Sequence, residues 1–132
     1  MTKPQDQNPN KIQSPRLERP YDLPERSAAF GEEVIRFARS LPRDVVVSPL
    51  LSQVVRSSTS IGANYAEADG AESRKDFKHR IAICKREARE TMHWMRMLAA
   101  ACPESADECR RLWQEAHELT LIFATIYRLK EG

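Results

Sequence analysis

The sequence predicts an all-α protein: an antiparallel, up-down-up-down four-helix bundle over residues 23–130, preceded by a disordered N-terminal tail over 1–22. Three observations carry this. No segment alternates apolar and polar residues with period two. Four stretches repeat apolar residues at spacings of three and four. The breaks between them, at Pro42, Gly70 and Pro103, leave only a few residues for each turn. A chain of 132 residues, 41% hydrophobic and 30% charged, suits one globular domain with one core.

The first 20 residues are rich in Pro, Gln, Asn and charge, and only Ile12 and Leu17 are bulky and apolar. Too little apolar surface is available there to offset the entropy of ordering, so a mobile tail is expected. The first helix runs from about Leu23 to Leu41, with Phe30, Val34, Phe37 and Leu41 on one face. Pro42 ends it, because the proline ring disfavours helical geometry at the residue before.

The second helix is expected to start at Ser48-Pro49, with Ser as N-cap and Pro where its missing N–H is not needed. Leu51, Val54, Val55, Ser58, Ile61, Gly62, Tyr65 and Ala66 are assigned to its core face. The middle of that face is small, so a neighbouring helix can approach closely. The other face carries a polar row, Gln53, Arg56, Ser60, Asn64 and Glu67. Either it is a solvated surface, or its groups bond across a helix or subunit contact. Gly70 is the stop signal.

The third helix spans about Ser73 to Cys102, with Ser73 and Asp76 as a capping pair. Phe77, Ile81, Cys84, Ala88, Met95 and Cys102 make its core stripe. Ile83, Trp94, Met97 and Ala101 make a second apolar strip. One core needs only one stripe, so Ile83, Trp94 and Met97 are assigned to a subunit contact. The alternative is that they flank a wide stripe and meet only their own chain. Pro103 closes this helix. Ser105 with Glu108 forms a capping box for the fourth, whose core face is Leu112, Ala116, Leu119, Phe123, Ile126 and Tyr127. It ends near Lys130.

Charge is uneven along the chain. The net charge is +2, yet residues 71–102 hold eight Lys and Arg against four acids, and 103–132 hold four against six. Within the third helix Arg74, Lys78, Lys85, Arg89 and Arg96 recur at spacings of four and seven. At 100° per residue they fall within about 60° of one another, along about 30 Å of helix. Such a stripe pairs with Glu115, Glu118, Glu32 or Glu33 on neighbouring helices, or it meets a polyanion through phosphates. Lys75, Arg80 and Arg86 widen the positive surface.

Catalytic signatures are missing from the sequence. Only four Gly are present, and none forms a phosphate-cradling loop. His79, His93 and His117 lack the i,i+4 partner or Glu-x-x-His spacing of a metal-binding bundle. Ser57, Ser58, Thr59 and Ser60 sit mid-helix with no histidine near in sequence, as packing spacers do. Cys84, Cys102 and Cys109 are an odd number without a C-x-x-C pair, so buried reduced thiols are expected. No metal, cofactor or enzymatic activity is expected. Lacking an apolar leader or a membrane-length apolar run, the chain is expected to be cytoplasmic.

The stretch Leu51-Ser52-Gln53-Val54-Val55-Arg56-Ser57-Ser58-Thr59-Ser60-Ile61-Gly62-Ala63-Asn64-Tyr65-Ala66-Glu67 resembles the signature of bacterial four-helix-bundle proteins named after intervening sequences of 23S ribosomal RNA genes. The run Lys85-Arg86-Glu87-Ala88-Arg89-Glu90-Thr91, between Phe77 and Trp94, is similar to the third helix of one branch of that family. The resemblance covers about residues 23–130. Gln53, Arg56, Ser60, Asn64 and Glu67 take the motif positions. The family's usual Gly after Ala-Glu is displaced, since Ala68-Asp69 intervene before Gly70.

Some members are similar to the accessory protein of diversity-generating retroelements, a ring of five bundles that binds nucleic acid and a reverse transcriptase through a basic surface. The resemblance thus implies a homo-oligomer, in that case a pentamer. It adds Arg56 to Arg74, Lys78, Lys85, Arg89 and Arg96 as residues for RNA or DNA. The rival is a structural oligomer or protein-binding adaptor, for example for a reverse transcriptase, without nucleic-acid contact.

Overall fold

The computed structural model describes residues 22–129; the tail expected over 1–22 and the helix end expected near Lys130 lie largely outside them. Four α-helices follow one another: α1 (Leu23–Ser40), α2 (Val47–Asp69), α3 (Arg74–Ala101) and α4 (Ala106–Leu129). A short 3-10 turn, Pro103–Ser105, joins the last two. No strand is present among the described residues.

Local chemistry sets most boundaries where the sequence places them. Leu41, before Pro42, turns extended and donates its N–H to Ala38 O. The Ser73 hydroxyl accepts from the Asp76 N–H at 3.0 Å, capping α3. Gly70 follows α2, its N–H bonded to Ala66 O. The start of α2 differs from expectation. The helix begins at Val47, and the Asp44 carboxylate accepts from the N–H groups of Val46 (2.9 Å) and Val47 (2.8 Å). Asp44 stands three residues before the first helical residue, far enough for its carboxylate to reach these orphan donors, which Ser48, already inside the helix, does not cap.

Consecutive helices pack backbone to backbone, α1 on α2, α2 on α3 and α3 on α4. Phe30, Val34, Val54, Ile61, Ile81, Cys84, Met95, Leu112, Leu119 and Phe123 are fully buried between them. The small middle of α2 brings α1 close, as its composition predicts. A Cβ placed on Gly62 would sit 3.5 Å from the Ala28 nitrogen, and one on Gly31 would sit 3.5 Å from Thr59 Cα. Six core assignments change. Ala66 is exposed, whereas Ala68, two residues on, is buried; Val55, Tyr65, Phe77, Ile126 and Tyr127 only flank the core.

The seam between α1 and α4 is closed differently, by long charged side chains. Arg26, on the core stripe of α1, is buried. Its Nε and one terminal nitrogen grip both oxygens of buried Glu115 at 2.8 and 2.9 Å, and that nitrogen also reaches Glu118 at 2.8 Å. Arg111 adds a longer bridge to Glu33 at 3.4 Å while holding Glu108 at 2.6 Å. Burial works against the Arg26 charge, but bonds to Glu115 and Glu118 outweigh it and hold the guanidinium above its ordinary pKa.

Candidate nucleic-acid interface

The basic stripe of α3 lies on the side of that helix facing α4. Lys78 Nζ sits 4.5 Å from the centre of the Tyr127 ring and Lys85 Nζ 5.9 Å from it, both within cation–π reach. Further along, Thr120 of α4 donates to the Met92 sulfur of α3. Arg74, Arg89 and Arg96 are exposed, while Lys78 and Lys85 are half-buried along the α4 edge.

Three of the four acids that could quench this stripe are engaged elsewhere, and Glu32 pairs with none of Lys85, Arg89 and Arg96. Glu115 and Glu118 hold Arg26, and Glu33 meets Arg111. Among the described residues Lys85, Arg89 and Arg96 form no ion pair. Three cations of α3, Arg89 and Arg96 exposed and Lys85 half-buried, therefore stand without a carboxylate, spread over about 16 Å of helix at 1.5 Å per residue.

Arg56 is placed differently from the other cations. Its two terminal nitrogens bond Glu87 at 3.2 Å and Glu90 at 2.6 Å across the α2–α3 contact, and Gln53 lies 3.5 Å from its Nε. The bond to Glu90, ahead of the field of Glu87, raises its pKa. Arg56 thus works as an interhelical pin with half its side chain still accessible.

The polar row of α2 finds internal partners. Asn64 donates its amide hydrogens to Ser60 O (3.0 Å) and Ser60 Oγ (2.9 Å), and its carbonyl accepts from Arg80 at 3.0 Å. These bonds meet the demand of a partly buried mid-helix amide. Glu67 stays exposed near the α2–α3 turn, beside Asp76, His79 and Arg80. In the second apolar strip of α3, Trp94 and Ala101 pack against the core of their own chain, and the Trp94 indole N–H is buried without a partner. Ile83 and Met97 are half-buried.

Two of the four candidate hydroxyl nucleophiles, and the thiols, are closed off. Ser57 is fully buried and shares a 2.8 Å hydrogen bond with buried Thr91, and Ser58 is buried too. Burial pushes the Cys84 thiol up to about 12 and the Cys109 thiol up to about 11. Neither is a thiolate at neutral pH. Among the described residues no cluster of His, Cys, Asp and Glu could hold a metal ion.

Sequence reasoning overlooked the Arg26–Glu115–Glu118 cluster. Its signal was present: Arg26 falls one turn before Phe30 on the α1 stripe, and Glu115 falls between Leu112 and Leu119 on that of α4. Opposite charges on two core stripes point to a buried pair, because an unpaired one is prohibitive.

The arrangement can be compared with known proteins on its fold and its second-helix motif. A family model described as 23S rRNA-intervening sequence protein matches residues 21–125. The chain belongs to that family. The crystal structure of a protein of unknown function from the S23 ribosomal protein family of Bacteroides thetaiotaomicron is similar. It is 27% identical with a TM-score of 0.71, over 80% of this chain and 97% of that one. No curated protein matches the chain significantly. The described residues form helices joined by short turns, and no described helix is long and apolar enough to cross a membrane.

Proposed function

We propose that this family member is a non-catalytic, self-associating helical bundle that binds RNA or DNA through phosphates along α3. Lys85, Arg89 and Arg96 carry the affinity, flanked by Arg74 and Lys78, with no reading of bases. The observation that supports this is the commitment of the neighbouring acids to Arg26 and Arg111, which leaves three α3 cations unquenched. The family's description makes structured RNA the first polyanion to try. Burial of Ser57 and Ser58 and the raised thiols favour a binding role over catalysis. Ile83 and Met97, half-buried in the single chain, supply the self-contact, with Trp94 behind them against the core.

The test is binding of an RNA hairpin and a generic duplex across a salt series. Three phosphate contacts give a slope of about −2.7 on the log–log plot, so affinity falls roughly fortyfold between about 50 and 200 mM salt. Lys85→Glu with Arg89→Glu should remove most binding at low salt. A flat salt response, or full binding by that double variant, ends the proposal. Sedimentation of the free protein checks self-association. An oligomer that ignores both nucleic acids and holds a protein partner instead would make the chain an adaptor.

A further inference from the structure

On the opposite flank of α2 from the α3 stripe, the end of α1 and the start of α2 flank an open groove of about 600 Å³. Ala38 and Leu51, both buried, form its floor with Val55 and the partly exposed Ile35. Arg39, Arg43, Arg56, Ser48 and Ser52 complete its lining, which contains no acid. Among the described residues Arg39 and Arg43 form no ion pair. Asp44, the acid beside Arg43 in sequence, holds the N–H groups of Val46 and Val47 instead. Glu87 and Glu90 fix Arg56 at the groove's edge.

We infer that this groove binds a nucleoside phosphate, with the phosphate on Arg39 and Arg43 and the base on the apolar floor. Every cation of the groove is an arginine, whose planar fork fits phosphate oxygens two at a time. The serine hydroxyls add donors for a third oxygen. A bare phosphate leaves the apolar floor unused, and a neutral nucleoside leaves the arginines unpaired. The volume lies within the usual range for small-molecule sites, about 300–1,000 Å³. This site is independent of the α3 interface and uses none of its cations. The same chemistry arises from a free nucleotide or from the 5′-phosphorylated end of a strand.

The experiment is an NMR titration of the ¹⁵N-labelled full chain with adenosine monophosphate, inorganic phosphate and adenosine in turn. The monophosphate should bind at least about tenfold more tightly than either fragment. It should shift the backbone amides of Ser48 and Ser52 and the side-chain Nε–H signals of Arg39 and Arg43. Arg39→Gln with Arg43→Gln should weaken it at least about tenfold. Gln is chosen because a carboxylate in the last turn of α1 would oppose the helix dipole. Both arginines are exposed, so the variant should keep its fold, which its amide spectrum checks. Two short strands differing only in a 5′-phosphate then separate the sources. Tighter binding of the phosphorylated strand, lost in the Gln variant, assigns the groove to strand ends. Equal binding of both strands, with the monophosphate site intact, assigns it to the free nucleotide. The proposal is overturned if phosphate binds as well as the nucleotide, if shifts cluster elsewhere, or if the Gln variant binds unchanged. It is also overturned if that variant alters sedimentation, which makes the groove a contact between copies. These outcomes are read with the monophosphate and leave the salt series on α3 unaffected.

Discussion

Replacing Arg26 tests whether one buried ion cluster holds α1 against α4. In Arg26→Ala, Glu115, only 6% exposed in the native protein, loses both of its bonds to the guanidinium. Glu118, with about a third of its side chain accessible, can rehydrate. The main loss is therefore one buried carboxylate left without a counter-charge, which costs about 3–5 kcal/mol. Total stability for a domain of this size is about 5–15 kcal/mol, so the variant should be marginal. At about 4–8 °C per kcal/mol, melting should fall by roughly 15 °C or more. A matched apolar pair, Arg26→Met with Glu115→Leu, removes both charges at once and should recover most of the loss. The assay is urea unfolding followed by circular dichroism, run as a double-mutant cycle. Coupling should exceed about 2 kcal/mol. If each single change costs less than about 1 kcal/mol and the two add, Arg26 and Glu115 do not clamp α1 to α4.

Other variants probe packing and the thiols. Gly62→Ala places a methyl in ordinary contact with the α1 backbone, so helix propensity decides and stability should rise by up to about 1 kcal/mol; Gly62→Leu should be strongly destabilising. A melting temperature lowered by the alanine would mean that α1 and α2 lie too close for even a methyl. The three cysteines are buried, so a disulfide reagent at pH 8 should label none of them quickly in the native protein and all three in denaturant. The raised thiol values carry a pH signature. Cys84 and Cys109 are neutral in both states below about pH 9, so their contribution is fully present there. It is lost as pH rises through about 9 to 12, because the unfolded thiols ionise first. Cys84→Ala should flatten that decline in an alkaline unfolding series, whatever it costs at neutral pH.

Periodicity was enough to place four helices, because a stripe at three- and four-residue spacing has only one way to be buried. Pro42, Ser73 and Gly70 marked ends through chemistry that acts within one turn of chain. The α2 start was misplaced by the same logic. Ser48-Pro49 offers a plausible local cap, but Asp44 reaches the orphan N–H groups from outside the helix, and its reach depends on how the loop folds. The basic stripe was legible as a line on one helix. Whether it was quenched was not, since Glu115, Glu118 and Glu33 could have turned toward it or away.

Short-range chemistry alone thus determined the fold class, the helix faces and the row of cations on α3, because each depends on residues within a turn or two of one another. Tertiary structure alone decided which charges meet. It sent Glu115 and Glu118 to Arg26 across 89 and 92 residues, pinned Arg56 to Glu87 and Glu90, and gathered Arg39, Arg43 and Ser48 around one groove. The physical reason is that a long charged side chain has several partners within reach of its sequence position, and only the packing of helices selects one.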